Sequence, residues 1–260
     1  MQRSTLFIQG DRGLYGLHPL SKLAITGFLL VAAATAPNLS LLILGYLLLL
    51  LPLAVWSGLL HPFLKSSLLV ITPFVISLSV IQGLFTPGQV VLLQLGQFTF
   101  TLEGLLSGLT VAGRILLALG GTLLLMLSTR PDHLMLSLTQ RGLPASLAYI
   151  VLTSLQIFPR FQDRARVIMD AQQARGLEMR ANLLKRMRLL VPLMGPLILG
   201  SIVDVEERAM ALEARAFSRS GMKSSLIILK DSFPQRALRG LLLLTMLALV
   251  TWRIWAVFSL

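Results

Sequence analysis

Long apolar runs separated by short polar breaks fill the first half of the chain, and one further run lies at its end. Runs of about 20 apolar residues are long enough to cross a bilayer as helices. The pattern predicts five spans, at residues 23–36, 39–60, 66–83, 104–127 and 240–258. The expected fold class is therefore an all-α polytopic membrane protein of about five transmembrane helices, with a charged region before the last span.

Positive charge is concentrated in that charged region. Residues 130–239 hold seventeen of the 23 Lys and Arg residues and nine of the 11 acids, whereas the connections 37–38 and 84–103 contain no Lys or Arg. Because cytoplasmic loops are enriched in Lys and Arg, the N-terminus and residues 130–239 are expected in the cytoplasm. The predicted regions are thus 1–129 with four spans, 130–239 in the cytoplasm, and 240–260 with the last span.

Composition excludes several classes of function. The chain is 55% hydrophobic and 13% charged, against about 25% charged residues in soluble domains. The net charge of +12 is explained by the positive-inside rule, so no nucleic-acid partner is expected. There is no cysteine, and the three histidines lack metal-ligand spacing, so neither a metal site nor a catalytic motif is predicted. The histidines are His18, His61 and His133.

Two apolar stretches in the charged region, 143–159 and 189–203, are short and bounded or interrupted by proline. If both crossed the membrane, the run from Arg160 to Arg188, with eight Lys and Arg residues, would lie outside, against the charge rule. We therefore interpret both as helices packed against the other spans in or near the membrane interface, with full embedding as the alternative.

The fourth span contains small residues at four-residue spacing, Gly104, Gly108 and Ala112. Such stripes let helices approach closely in lipid, so a helix-packing seam is predicted, either static or able to slide. Arg114 lies in the same span. An intramembrane arginine costs about 2.5–3.5 kcal/mol on insertion scales, and no acid lies within a turn of it. It is either a functional group or a structural one that pairs with backbone carbonyls or a partner.

Two similar tripeptides, forty positions apart, mark the cytoplasmic region. They are Ala174-Arg175-Gly176 and Ala214-Arg215-Ala216. We predict a helix that begins after Pro159 and ends at Gly176, and a second helix over 203–217. Each arginine then lies at a helix C-terminus, where a cation complements the helix dipole.

The chain resembles the transmembrane T component of energy-coupling factor (ECF) transporters, a group that includes cobalt and biotin transporter permeases. The resemblance covers nearly the whole length, and one departure is Ala216, where the family usually has glycine. The matching segments are Leu17-His18-Pro19-Leu20-Ser21-Lys22-Leu23, Thr129-Arg130-Pro131, Phe158-Pro159-Arg160, Ala171-Gln172-Gln173-Ala174-Arg175-Gly176 and Ala211-Leu212-Glu213-Ala214-Arg215-Ala216-Phe217.

This resemblance implies a non-catalytic subunit of an ATP-driven importer in a bacterial or archaeal inner membrane. It implies that the two tripeptides dock two ABC-type ATPase subunits, and that a separate membrane S component binds the vitamin or transition-metal ion. ATP is expected to be bound by the partners and no cofactor by this chain, since Gly221-Met222-Lys223-Ser224 lacks the glycine spacing of a phosphate loop. Membrane lipid is the remaining expected partner.

Two alternatives have their own sequence expectations. A secondary transporter that moves a small solute itself would carry several intramembrane charges or broken helices at mid-membrane, and Arg114 is the one candidate. A membrane enzyme would use groups such as His133 and Asp132, but no acid–base pair accompanies them.

Overall fold

The computed structural model describes residues 8, 10, 13–95, 98–175, 183–217, 229 and 231–258. The chain divides into two compact units, which are described separately. The first unit comprises Met1–Arg141 and Leu229–Leu260, and the second comprises Gly142–Ile228. The division falls within the predicted region 130–239: residues 130–141 and 229–239 belong with the apolar helices of the first unit.

The first unit is built from apolar helices and one hairpin. A 3₁₀ turn at Gly13–Gly16 precedes them, and a π-helical turn at Tyr46–Leu50 joins the second and third helices. The elements are α1 (Pro19–Thr35), α2 (Leu39–Gly45), α3 (Leu51–Trp56), α4 (Leu60–Phe85), β1 (Val91–Leu95), β2 (Phe98–Thr101), α5 (Leu102–Ser128), α6 (Pro131–Thr139) and α9 (Phe233–Phe258).

Four helical stretches among the described residues are long and apolar enough to cross a membrane: Leu39–Trp56, Leu60–Phe85, Leu102–Ser128 and Phe233–Ala256. The first predicted span corresponds to α1, whose 17 residues rise about 26 Å. That length falls short of a hydrocarbon core of about 30 Å. The all-α polytopic membrane fold predicted from the sequence is confirmed.

A β-hairpin, which the apolar pattern does not predict, occupies part of the connection before α5. Strands β1 and β2 pair antiparallel, and Thr101 at the end of β2 is the N-cap of α5. Its hydroxyl accepts a hydrogen bond from the Gly104 amide (3.2 Å) and donates one to the Thr86 carbonyl (2.8 Å). The hairpin therefore fixes where α5 begins relative to α4.

Helices α4 and α5 pack at very close range. Gly104, Gly108 and Ala112 are all buried. A Cβ atom on Gly108 would lie 2.7 Å from the Leu78 carbonyl oxygen, and one on Gly104 would meet the Gln82 carbonyl. Glycine at these positions is thus a steric requirement of the α4–α5 contact, since backbone atoms cannot move aside as a side chain can.

Helix α1 packs against the other end of α5. Lys22 is buried, and its Nζ donates to the Ser128 carbonyl (2.8 Å), the last residue of α5. One turn along, the Thr26 hydroxyl donates to the Gly121 carbonyl (3.3 Å). A cation at a helix C-terminus is favourable because it complements the unpaired carbonyls there. The main apolar cluster lies where α1 and α5 meet the segments between them: Leu29, Ala33, Leu42, Leu50, Ala54, Leu59, Phe63, Leu117, Leu124 and Leu127.

Within its described residues, the second unit contains two long helices, α7 (Ala145–Ala174) and α8 (Leu183–Ala214). The prediction that a helix begins after Pro159 is wrong, because α7 runs through this proline without interruption. The predicted helix over 203–217 is also too short, since α8 begins at Leu183 and passes Pro192 and Pro196. The apolar stretches 143–159 and 189–203 are therefore parts of α7 and α8. A proline removes one helical hydrogen bond and bends a helix without having to end it.

Candidate functional site

The first arginine tip is the C-terminal end of α7. Arg175 is the C-cap residue, and its amide donates to the Gln172 carbonyl (3.1 Å). Arg175 and Ala174 are both exposed. Gly176, the third residue of the predicted docking tripeptide, lies outside the described residues.

The second arginine tip ends α8 in a different way. Ala216 adopts a left-handed conformation with φ of 53°, and the amides of Ala216 and Phe217 donate to the carbonyls of Glu213 and Leu212, both at 2.9 Å. This paired arrangement is the Schellman C-cap, in which glycine usually takes the left-handed position. Alanine fills the role here, so α8 stops directly after Arg215 despite the absent glycine.

Both tip guanidiniums are available for a partner. Arg175, Arg215 and the alanines beside them are exposed, and within the described part of the chain neither guanidinium has an ion-pair partner. Each arginine projects from a helix end whose last carbonyls carry partial negative charge. An arginine fork flanked by small residues can enter a groove on another protein and bind a carboxylate through two parallel hydrogen bonds.

The two tips lie at opposite ends of an antiparallel helix pair. Arg164 of α7 pairs with Asp204 of α8 at 2.7 Å. The ring of Tyr149, near the start of α7, packs 5.3 Å from that of Phe217, just beyond the end of α8. The end of α8 therefore lies beside the beginning of α7, so Arg215 and Arg175 lie at opposite ends of the pair.

A charged cluster in the first unit joins the residues on either side of the second unit. Asp231 binds Arg239 through both carboxylate oxygens, at 2.8 and 2.6 Å, and also pairs with Arg141 (3.1 Å) and Arg236 (3.4 Å). Arg141 is the last residue before the second unit, and Asp231 lies shortly after the end of that unit in sequence. We call these four residues, together with His18, the root cluster.

His18 connects the root cluster to α1. It is the N-cap residue of α1, where its Nδ1 accepts a hydrogen bond from the Leu20 amide (3.3 Å) and lies 3.4 Å from Arg239 Nη1. Its own amide donates to Gln235 Oε1 (2.8 Å). His18 and Arg239 are both buried, so the start of α9 is held against the start of α1.

The electrostatics of the root cluster favour a neutral histidine and an ionised aspartate. Burial lowers the pKa of His18; Asp231 opposes this shift, and the charges of Arg239 and Arg141 add to it. For Asp231, partial burial acts to raise the pKa, but the hydrogen bond and charge of Arg239, followed by His18 and Arg141, lower it overall. In the root cluster, three arginines and a neutral histidine thus surround the ionised carboxylate of Asp231.

Sequence reasoning missed the root cluster. In the sequence, His18 is far from the other histidines and Asp231 is one acid among nine in residues 130–239, so neither position indicates the contact. The local signal was the placement of Asp231 ahead of Arg236 and Arg239, at spacings of five and eight residues. The contact with Arg141 spans ninety positions, and no local pattern indicates it.

Arg114 pairs with the backbone of the first helical hairpin. Its Nη2 donates to the carbonyl of Ala36 (3.0 Å), the C-cap residue of α1. Arg114 lies twelve residues into α5, so the α1–α2 turn meets α5 about 18 Å from its first residue. The carbonyl of a C-cap residue has no partner within its own helix. In this structure a guanidinium supplies it, while Arg114 Nε has no partner among the described residues.

Asp132, one of the groups considered for a membrane enzyme, is paired with an arginine. Asp132 pairs with Arg130 at 3.4 Å, and both side chains are more than half exposed. Within the described residues, no group of three or more His, Asp or Glu side chains is placed to hold a metal ion.

The fold defines a multi-pass helical membrane protein, and the comparisons with known proteins identify its family. The family model described as "Cobalt transport protein" (CbiQ) matches residues 11–225. The chain belongs to this family, which is the transmembrane T component family of energy-coupling factor transporters that the resemblance predicted.

Curated relatives that match the chain carry the name "Energy-coupling factor transporter transmembrane protein EcfT". The relative from Heliobacterium modesticaldum is 30% identical over 254 residues, covering 92% of this chain and 94% of the relative. The relative from Lacticaseibacillus paracasei is 28% identical over 257 residues, covering 94% and 96%. The relative from Leuconostoc gelidum is 31% identical over 159 residues; this match spans 58% of the chain and 59% of the relative's length.

Proposed function

We propose that this chain is the coupling subunit of an ECF-type importer. In this proposal, two ABC-type ATPases dock on the arginine tips, and a substrate-binding membrane S component contacts the chain within the bilayer. The motion of the ATPases moves α7 and α8 and is passed to the S component, which releases a vitamin or a transition-metal ion inside the cell. The chain itself is a non-catalytic part of the complex.

The observation that carries the proposal is the pair of exposed arginine tips at opposite ends of α7 and α8. Two exposed arginine sites at opposite ends of one helix pair suit two ATPase subunits better than one. Arginine is also the side chain best suited to transmit a directed push, since its planar fork binds a carboxylate bidentately and stays charged. The names of the relatives agree with this role, because they describe a transmembrane protein of an energy-coupling factor transporter.

We place the chain in a prokaryotic inner membrane with its N-terminus and its arginine tips in the cytoplasm. The placement is supported by the charge distribution, since residues 130–239 carry seventeen of the 23 Lys and Arg residues. Docking of ATPases requires the same orientation, because ATP is found on the cytoplasmic side. ATP would be bound by the docked subunits.

The proposal is tested by gentle affinity purification of the tagged chain from native membranes, followed by mass spectrometry. We expect two ATPase polypeptides, or two copies of one, together with a small hydrophobic membrane protein. The ligand extracted with that small protein would identify the transported substrate. Recovery of the chain without ATPases, together with solute uptake that persists when ATP hydrolysis is blocked, would overturn the proposal in favour of a secondary transporter.

A further inference from the structure

An ion pair joins α7 to α8 between the two arginine tips. Arg164 Nη1 is 2.7 Å from Asp204 Oδ2, and both side chains are 41% exposed. Gly200 lies directly beneath the guanidinium: a Cβ atom there would be 3.1 Å from Arg164 Cζ. The absence of a side chain at Gly200 therefore lets the arginine lie along the surface of α8 and reach Asp204.

The spacing from this ion pair to the two tips is equal. Arg175 follows Arg164 by eleven residues, and Arg215 follows Asp204 by eleven residues. Eleven residues are about three helical turns, or about 16 Å, and return the side chain to nearly the same face of the helix. Because α7 and α8 are antiparallel, the tips lie in opposite directions from the pair. The Arg164–Asp204 pair therefore lies about midway between the two arginine tips.

The groove around the ion pair contains more basic than acidic side chains among the described residues. This groove of about 370 Å³ runs along the contact, and among the described residues that line it Asp204 is the acid. Arg160 and Arg208 line the same groove, one turn from Arg164 and Asp204 respectively, yet the ion pair is made by Arg164. Like charges on both helices would separate α7 and α8 here if Asp204 were absent.

We propose that the Arg164–Asp204 pair is the pivot that holds α7 and α8 in fixed register midway between the arginine tips. Displacement of one tip by its ATPase is then transmitted to the other, so both ATPases act on the membrane part together. Arg164 and Asp204 are positioning residues in this account and do not contact ATP or the substrate. The inference rests on the proposed coupling function.

The test uses the complete complex reconstituted in proteoliposomes, with substitutions Arg164→Asp and Asp204→Arg, singly and combined. The combined variant restores an ion pair of opposite polarity. Arg208→Gln is the matched control, since it removes a cation from the same groove and leaves the pair intact. Because the chain has no cysteine, spin labels on Gln173→Cys and Glu213→Cys report the distance between the tips. Both labelled positions are exposed.

Three quantities are measured: ATPase retention, substrate transported per ATP hydrolysed, and the distribution of label distances. We expect the single variants to retain the ATPases, to lose about fivefold or more in transport per ATP, and to broaden the distance distribution. The combined variant should recover to within about twofold of the wild type, as should Arg208→Gln. Single variants that transport as efficiently as the wild type, or a combined variant no better than the singles, would overturn the inference.

ATPase retention separates this result from failure of the proposed function. If the unsubstituted chain retains no ATPase, the coupling role itself is wrong. If ATPases are retained in every variant and transport per ATP is unchanged, the coupling role stands and the pivot does not exist. A folding defect in a single variant would appear as lost ATPase retention. If the Arg164–Asp204 pair is the pivot, the combined variant regains this retention.

Discussion

Arg141 donates a 3.1 Å hydrogen bond to Asp231 across ninety positions of sequence, within the first unit. The chain leaves the first unit at Arg141 and has returned to it by Asp231. Arg239 and His18 tie this contact to the starts of α9 and α1. Within the first unit, the root cluster is therefore a charged junction between the two segments that flank residues 142–228 in sequence.

Replacing the carboxylate should open this junction. Asp231→Asn leaves three arginines without their acid, and Arg239 is nearly inaccessible to water. We expect a loss of about 2 kcal/mol in the free energy of unfolding, typical of a hydrogen bond to a charged group. Asp132→Asn is the control, because its pair with Arg130 is more than half exposed and contributes at most about 1 kcal/mol. Thermal unfolding in detergent compares the two; equal midpoints would contradict this role of Asp231.

The root cluster should also make stability depend on pH. Burial lowers the pKa of folded His18, so as pH falls through the unfolded value of about 6.5 the unfolded chain binds the proton first and stability decreases. The lowered pKa of Asp231 gives a separate loss, confined to pH below about 4.

We expect the unfolding midpoint to decrease between pH 7 and pH 5 and His18→Asn to remove much of this decrease, since asparagine can still cap α1. His133→Asn is the histidine control and should preserve it. A decrease in His18→Asn as steep as in the wild type would exclude His18 as its source.

The left-handed residue that ends α8 predicts a stabilising substitution. Ala216 has φ of 53°, a conformation that costs a non-glycine residue about 1 kcal/mol or more. Ala216→Gly should therefore slow amide exchange in the last turn of α8. Ala214→Gly, two residues earlier and inside the helix, should instead destabilise that turn by about 1 kcal/mol. Exchange rates that change in the same direction for both variants would contradict the assigned C-cap.

Arg114 is expected to stabilise the α1–α2 turn. Arg114→Met removes the donor to the partly buried Ala36 carbonyl, and we expect a loss of about 1–3 kcal/mol in the free energy of unfolding, in the range of a hydrogen bond made by a charged group. Arg114→Lys retains a cationic donor and should lose less. Unfolding in mixed micelles with increasing SDS measures both variants. Arg114→Met as stable as the wild type would leave Arg114 without this structural role and favour a functional one.

The sequence predicted the parts of the structure that depend on local pattern. The length of an apolar run is a local property, so all five predicted spans correspond to helices. The two tripeptides likewise indicated an arginine at the end of each of two predicted helices. The β-hairpin was missed although Phe98 and Phe100 alternate with threonines, a pattern typical of strands.

Contacts between distant residues could not be predicted in the same way. The pairing of Arg164 with Asp204 depends on how α7 and α8 lie against each other, and both helices were predicted too short at their prolines. The contact of His18 with Arg239 spans 221 positions. Ala216 is a different case. The sequence showed that glycine is missing at this position, but not that alanine adopts the left-handed conformation that glycine usually takes.

Charge reversal at the arginine tips tests the central claim most directly. Complexes carrying Arg175→Glu, Arg215→Glu or both are purified and reconstituted, and retained ATPase and ATP-driven substrate uptake are measured. Arg166→Glu is the control, since Arg166 is an exposed arginine of α7 away from its tip. We predict that each tip variant loses roughly tenfold or more in ATPase affinity, that the double variant neither retains ATPase nor transports, and that all insert normally. Normal ATPase retention and uptake in the double variant would contradict the account.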